Sequence, residues 1–349
     1  MINWRKHIIN DSDSIRIALA IINNLGESNC VLFLVDKDDR LMGTVTDGDI
    51  RRGLINNINV DQPVKLVANT NFHKLVNGNL NYDYINMCRG KGIFILGNVD
   101  ENGKLIGLVD LNELKAVLPL HAVIMAGGRG ERLLPLTKSV PKPMLKVGGK
   151  PIIEHNVDRL SNYGIRDIHI SINYLGEVIS EYFGDGAEKG VNIAYVEEPK
   201  AMGTIGSVSL IDTFQFQDVL VMNSDLLTNI DFSDFYNEFV SQSADMAVAS
   251  IPYHVDLPYA IMEINGDEIM SLKEKPRYTY FANAGIYLIK NEFLKLVPGN
   301  EYFNATDLID LLLEKKAKIL NYPILGYWLD IGKHDDFIKA QADIQHIRF

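Results

Sequence analysis

Residues 121–151, HAVIMAGGRGERLLPLTKSVPKPMLKVGGKP, constrain this chain more than any other stretch. An apolar run, His121 to Ala126, reads as a buried strand, and three glycines follow within four positions: Gly127, Gly128 and Gly130. Glycine at a strand exit lets the backbone turn tightly and lets its N–H groups come close to a bound anion. From Arg129 to Lys150 stand six basic residues, Arg129, Arg132, Lys138, Lys142, Lys146 and Lys150, against one acid, Glu131. The 349-residue chain carries a formal charge of −11, so this is a local reversal of sign, suited to a triphosphate. Two better-known phosphate loops do not fit. G-x-G-x-x-G would need glycine where Leu133 stands, and G-x-x-x-x-G-K-[ST] fails at Met144 and Pro151.

The length predicts two or three domains, each able to bury its own core. The acidic balance argues against a general nucleic-acid or anionic-membrane binder, which needs a basic face. Two cysteines, Cys30 and Cys88, cannot form a disulfide framework and lack metal-ligand spacing. The N-terminus, MINWRKHIIN, has no apolar core for a signal peptide, and no stretch approaches the ~20 apolar residues that span a bilayer. The expectation is a reducing, cytoplasmic setting.

Residues 1–118 contain an internal repeat. Phe33-Leu34-Val35 leads through a charged turn to Leu41-Met42-Gly43-Thr44-Val45-Thr46-Asp47, and Phe94-Ile95-Leu96 leads through Asn102-Gly103 to Leu105-Ile106-Gly107-Leu108-Val109-Asp110. Each copy reads as strand, turn, strand and an acidic residue that caps a helix after it. An amphipathic helix over about 14–25, ended by Gly26, precedes the first copy. The repeat resembles a tandem pair of CBS domains, an α+β arrangement used for regulation or dimerisation. By that resemblance, Thr46 and Asp49 take the ribose hydroxyls of an adenosyl or guanosyl nucleotide, and the chain forms a homo-oligomer, a dimer or higher. Asp110 and Glu113 replace the corresponding residues in the second copy, so at most one well-formed nucleotide site is expected. Helix capping alone also accounts for Asp47 and Asp49.

Pro119 marks the boundary to a domain over 119–349, in which apolar strands alternate with helices. That pattern predicts an α/β fold: a Rossmann-like, mostly parallel sheet with helices on both faces. Strands are expected at 121–126, 166–172, 191–197, 218–224 and 245–251, with helices at 151–163, 175–183, 203–212 and 233–242. Shorter strands at 259–264, 268–273 and 281–289 read as an antiparallel insertion walling the sugar side. Helices at 291–297, 305–317 and 334–346 complete the expectation. In such sheets ligands sit at the carboxyl ends of the strands.

The run A-G-G-x-G-x-R-L-x-P-L-T, then P-K-P-M, then G-x-P-I-I, resembles the signature of the sugar-1-phosphate nucleotidyltransferases. The resemblance implies the nucleotidyltransferase fold, an NTP and a sugar 1-phosphate as substrates, Mg2+ as cofactor, and release of pyrophosphate. It places Ala126, Gly127, Gly128 and Gly130 against the nucleotide, Arg132 at the β- and γ-phosphates and Lys142 at the α-phosphate. Prolines 141 and 143 stiffen Lys142. Asp225, ending Val219-Leu220-Val221-Met222-Asn223-Ser224-Asp225, and Asp330, in Trp328-Leu329-Asp330-Ile331-Gly332, are the implied magnesium ligands. Glu274-Lys275-Pro276 and Asn283-Ala284-Gly285 match motifs that hold the sugar and its phosphate, and Asn173 is a further sugar-side candidate.

Glu198-Pro199 through Gly203-Thr204 matches the segment that contacts the base. A carboxylate suits the adjacent N1–H and N2–H donors of guanine, so Glu198, or Glu197 by strand register, leans toward GTP. As a set, the motifs look like the guanylyltransferases acting on glucosamine 1-phosphate in bacterial legionaminic acid synthesis, a surface-glycan route, and also resemble heptose- and mannose-1-phosphate guanylyltransferases. A UTP- or dTTP-using transferase and an inactive sugar-nucleotide sensor remain alternatives.

Overall fold

The computed structural model describes residues 4–26, 30–77, 82–112, 114 and 116–347, and the chain divides into two compact units, 1–117 and 118–349. Glu113 lies outside the described residues.

The first unit repeats one motif. Its strands and helices run β1 (Ile8–Asn10), α1 (Ile15–Leu25), β2 (Val31–Val35), β3 (Leu41–Thr46), α2 (Asp47–Ile55), then β4 (Lys74–Val76), α3 (Tyr82–Gly90), β5 (Ile95–Val99) and β6 (Leu105–Asp110). β1 is parallel to β2 and β2 antiparallel to β3; β4, β5 and β6 repeat both relations. The hairpin turns are also built alike. Asp36 Oδ1 accepts from the amides of Asp38 and Arg40, as Asp100 Oδ1 does from Asn102 and Lys104. Asp39 and Gly103 both take positive φ, 62° and 81°. The two turns then pair reciprocally, Leu41 N with Gly103 O and Leu105 N with Asp39 O, over a shared core of Phe33, Val35, Leu41, Val99 and Leu105.

The second unit begins with β7 (Leu120–Met125), short strands β8 (Lys146–Val147) and β9 (Lys150–Pro151), α4 (Ile152–Asn162), β10 (Asp167–Ile172), α5 (Gly176–Phe183) and β11 (Asn192–Glu197). It continues through β12 (Asp218–Asn223), β13 (Leu226–Thr228), α6 (Phe232–Ser241), β14 (Met246–Asp256), β15 (Ile261–Asn265), β16 (Glu268–Lys273) and β17 (Arg277–Lys290). The last elements are α7 (Asn291–Leu294), α8 (Ala305–Glu314), β18 (Ile319–Pro323), β19 (Trp328–Asp330) and α9 (His334–Asp343). Seven strands form one sheet in the order β11-β10-β7-β12-β17-β14-β18, in which β17 runs against the others.

Both faces of the sheet are covered. Val123, Val219, Val221 and Ile289 pack with Leu308 and Leu312 of α8, while Ala122, Ile124, Leu220 and Met222, pointing the other way by strand alternation, are equally buried. Caps set the helix starts. Asp231 accepts from the amides of Ser233 and Asp234 at α6, and Asn304 and Asp307 form a capping box at α8.

Three expectations are corrected. Residues 281–289 do not belong to a separate insertion: β17 sits inside the main sheet, and its buried run Ala284–Ile289 needs a neighbour on each side. Of the three strands expected there, β15 and β16 pair with each other as a separate two-stranded ribbon. Residues 203–212 form no α-helix. Gly203 takes φ +79°, and the amides of Ile205 and Gly206 donate to Phe303 O, which leaves one 3-10 segment, Gly206–Leu210. The helix expected at 291–297 ends at Leu294.

Candidate active site

The strand ends of β7, β11 and β12 open on a cleft of about 550 Å3. Its floor is the glycine turn. Ala126 N donates to Ser171 O at 2.9 Å, which fixes the turn on the neighbouring strand. At Gly127 an added Cβ would lie 2.5 Å from Glu198 Oε1, so that carboxylate is seated against bare backbone. Gly130 takes φ +62°, and a Cβ there would stand 2.9 Å from Lys142 Cβ. Gly128 meets nothing within 4 Å and faces the cleft freely. The short turn Glu131–Leu133 then presents Arg132, which is exposed, pairs with no acid among the described residues and lies over Gly332.

Asp225 and Asp330 meet through a small ladder. β13 starts immediately after Asp225 and pairs antiparallel with β19, with Leu226 opposite Asp330, and Ile331 N donates to Asp225 O at 3.1 Å. Lys142 lies between the carboxylates. Its ammonium is ion-paired with Asp225 Oδ2 and stands 3.8 Å from Asp330 Oδ1. The Oδ1 atoms of both aspartates are buried and accept no hydrogen bond among the described residues. Burial and the Asp225 charge raise the pKa of Asp330, against the opposing pull of Lys142 and Arg132.

The remaining walls are held by cross-links between motifs. Trp328 Nε1 donates to Ala284 O at 3.0 Å, joining the W-x-D-x-G and N-x-G segments. Gly285 takes φ +71°, and a Cβ there would meet Asn223 Nδ2 at 2.5 Å, so N-x-G packs bare against N-S-D. On the opposite wall Glu198 accepts from the Ser171 hydroxyl at 2.6 Å and from Met202 N at 3.2 Å. Thr204 Oγ1 accepts from Ala305 N at 2.9 Å, capping α8 while Gly203 and Thr204 line the cleft. Tyr302, missed in the sequence, also lines it; no motif marks an aromatic on a loop.

Arg132, Lys142, Asp225, Glu198, Gly127, Gly128, Gly130, Gly203 and Thr204 thus share one cleft. Ala126 is buried beside it. Glu197 is exposed and outside the lining, and Asn173 Nδ2 donates to Glu198 O at 2.8 Å. Glu274 and Lys275 are not brought in. They are exposed in the turn between β16 and β17, off the cleft, and Asn283 accepts from Gly285 N. Lys150 is committed to Asp158 at 2.6 Å.

In the first unit Thr46 and Asp49 form a capping box at the start of α2. Asp49 Oδ2 accepts from Thr46 N at 2.9 Å and from its hydroxyl at 2.6 Å, while Asp49 Oδ1 pairs with Arg52.

No group of three or more His, Cys, Asp or Glu side chains that could hold a metal occurs among the described residues. Two carboxylates with orphaned oxygens nonetheless suit magnesium, which keeps several waters and shares the oxygens of substrate phosphates.

A mostly parallel α/β sheet whose carboxyl-end loops gather a glycine turn, two cations and two aspartates defines a phosphate-handling class of protein. The chain belongs to the nucleotidyl transferase family, whose model matches residues 121–347, and a CBS domain model matches residues 5–56. Mannose-1-phosphate guanylyltransferase of Mycobacterium tuberculosis is 31% identical over 233 residues, covering 64% of each chain. Bifunctional protein GlmU of Methanococcus maripaludis is 31% identical over 231 residues, 63% of this chain and 53% of that protein. The chain therefore spans under two thirds of the first relative and about half of the second. A structure described as glucose-1-phosphate thymidylyltransferase of Bacillus anthracis, with sucrose, matches at TM-score 0.55 and 28% identity, covering 66% of this chain and 97% of that one. HddC of Yersinia pseudotuberculosis shares the fold at TM-score 0.51 and 23% identity.

Proposed function

We propose that the second unit transfers a nucleotidyl group from an NTP to a sugar 1-phosphate, giving an NDP-sugar and pyrophosphate. The reading rests on one observation above all: Asp225 and Asp330 converge on Lys142 beside a glycine turn that carries Arg132. An oxygen of the acceptor phosphate bonds to the α-phosphorus while the bond to the bridging oxygen of pyrophosphate breaks. The backbone of Gly128 and Gly130 approaches the phosphates, Arg132 grips the β- and γ-oxygens as a fork, and Lys142 neutralises the α-phosphate. Asp225 and Asp330 would hold Mg2+, which supplies charge neutralisation at the phosphate oxygens.

GTP is the favoured donor and glucosamine 1-phosphate the favoured acceptor. The guanine reading is supported by Glu198, whose oxygens each keep a free lone pair beyond Ser171 and Met202, and by the guanylyltransferase relatives. The thymidylyltransferase-like structure supports dTTP or UTP as the rival donor. Glu274 and Lys275 serve the sugar side only if the β15–β16 ribbon closes toward the cleft, whereas Asn283 stands on β17 within the main sheet, near Gly285, which packs on Asn223.

Residues 1–118 are proposed as a regulatory tandem CBS pair, supported by the reciprocal turns of the two halves. A nucleotide taking Thr46 and Asp49 must displace bonds of their capping box. Pyrophosphate release over a grid of four NTPs and a panel of sugar 1-phosphates tests the catalytic reading; no release in any combination would overturn it.

A further inference from the structure

Asp225 and Asp330 are brought together by the main-chain pairing of the β13–β19 ladder. Two carboxylates so placed favour a cation between them. In the structure that cation is the ammonium of Lys142, whose side chain is only 11% exposed. Its stem is fixed close to the carboxylates, between buried Pro141 and Pro143 and under Gly130. Yet Lys142 also lines the cleft, so rotation of its flexible end moves the charge from the carboxylates toward a bound phosphate.

Resting on the catalytic reading above, we infer that Lys142 is a resident counter-ion that occupies the metal position until a triphosphate draws it away. The ammonium and a divalent cation cannot share the two carboxylates without repulsion at close range. An arriving α-phosphate supplies a second anionic partner for Lys142. The ammonium shifts to it, and the carboxylates are left with unpaired oxygens, Oδ1 of both residues already lacking hydrogen bonds. Metal binding at this site is therefore conditional on nucleotide: the bare enzyme resists the divalent ion and the triphosphate-loaded enzyme takes it. One side chain both neutralises the resting site and gates its cation. A lysine that merely braced the aspartates would behave oppositely, since its removal would loosen the carboxylates and weaken metal binding.

The test measures binding of Mn2+, a hard divalent probe, to the full nucleotide-free chain by the electron paramagnetic resonance signal of the free ion. Wild type, Lys142→Met, Lys142→Arg, Asp225→Asn and the double variant Lys142→Met with Asp225→Asn are compared. Lys142→Met should bind one Mn2+ about tenfold or more tightly than wild type, from the lost repulsion. Lys142→Arg stays as weak as wild type, and the double variant loses the gain. Equal or weaker binding by Lys142→Met, while Asp225→Asn still abolishes the wild-type site, overturns the gate and leaves the metal assignment standing. Binding indifferent to Asp225→Asn overturns both. Should Lys142→Met not fold, Lys142→Gln takes its place. The same expectation is read as a larger rise in melting temperature on adding Mn2+ to that variant than to wild type.

Discussion

Asp330 sits beside Asp225 because the strand that follows one pairs with the strand that ends in the other, with Ile331 N donating to Asp225 O at 3.1 Å. The carboxylates are thereby set by main-chain hydrogen bonds, and Lys142 reaches both of them. Fixed charges of this kind cost no reorganisation when charge develops on a phosphate.

Asp225→Asn keeps the shape of the side chain and removes its charge. Turnover should fall by about 100-fold or more, on the scale of losing one preorganised electrostatic contact, with the far-ultraviolet circular dichroism unchanged. Retention of full magnesium-dependent activity would refute the metal assignment.

Glu198→Gln replaces one acceptor oxygen by a donor without changing volume. If Glu198 reads guanine, kcat/KM for GTP should drop by roughly tenfold or more while that for UTP holds or rises, from one charged hydrogen bond of about 1.5–3 kcal/mol. Equal losses for both donors would leave Glu198 as a brace under Gly127, where it already accepts from Ser171 and Met202.

Gly285→Ala forces a side chain into φ +71° and sets its Cβ 2.5 Å from Asn223 Nδ2. A loss of about 1–3 kcal/mol in unfolding free energy is expected from the strained backbone. Activity should fall further than stability, since Asn223 lines the cleft.

Away from the cleft, His121 and His169 stack on adjacent strands, with ring centroids 4.7 Å apart. Burial, with His169 second, lowers the His121 pKa to about 4, against an opposing pull from Asp167, and burial also lowers that of His169. The unfolded chain takes up these protons near pH 6.5 and the folded chain does not until lower pH. Stability is thus fully present above about pH 6.5 and is lost as pH falls from there toward 4, with on the order of 3 kcal/mol at stake for His121. The melting temperature should slope across that window, and His121→Gln should flatten it.

Much of this was legible in local pattern. The apolar run before Gly127 fell within a residue of β7, and the run that Asp225 follows within a residue of β12. What local pattern could not give was partnership at long range. Nothing in Ala284–Ile289 names β12 and β14 as its neighbours, and β13 and β19 are too short to show a period. The 203–212 stretch carries helix-like spacing that its bonds to Phe303 override. Glu274 and Lys275 show the converse limit, because a motif does not report where its hairpin points.

31P NMR of the full chain with GTP, glucosamine 1-phosphate and Mg2+ follows the transfer itself. Equal amounts of pyrophosphate and a GDP-sugar should form, and only when all three are present. Release of inorganic phosphate instead, or pyrophosphate formed without the sugar phosphate, would contradict it.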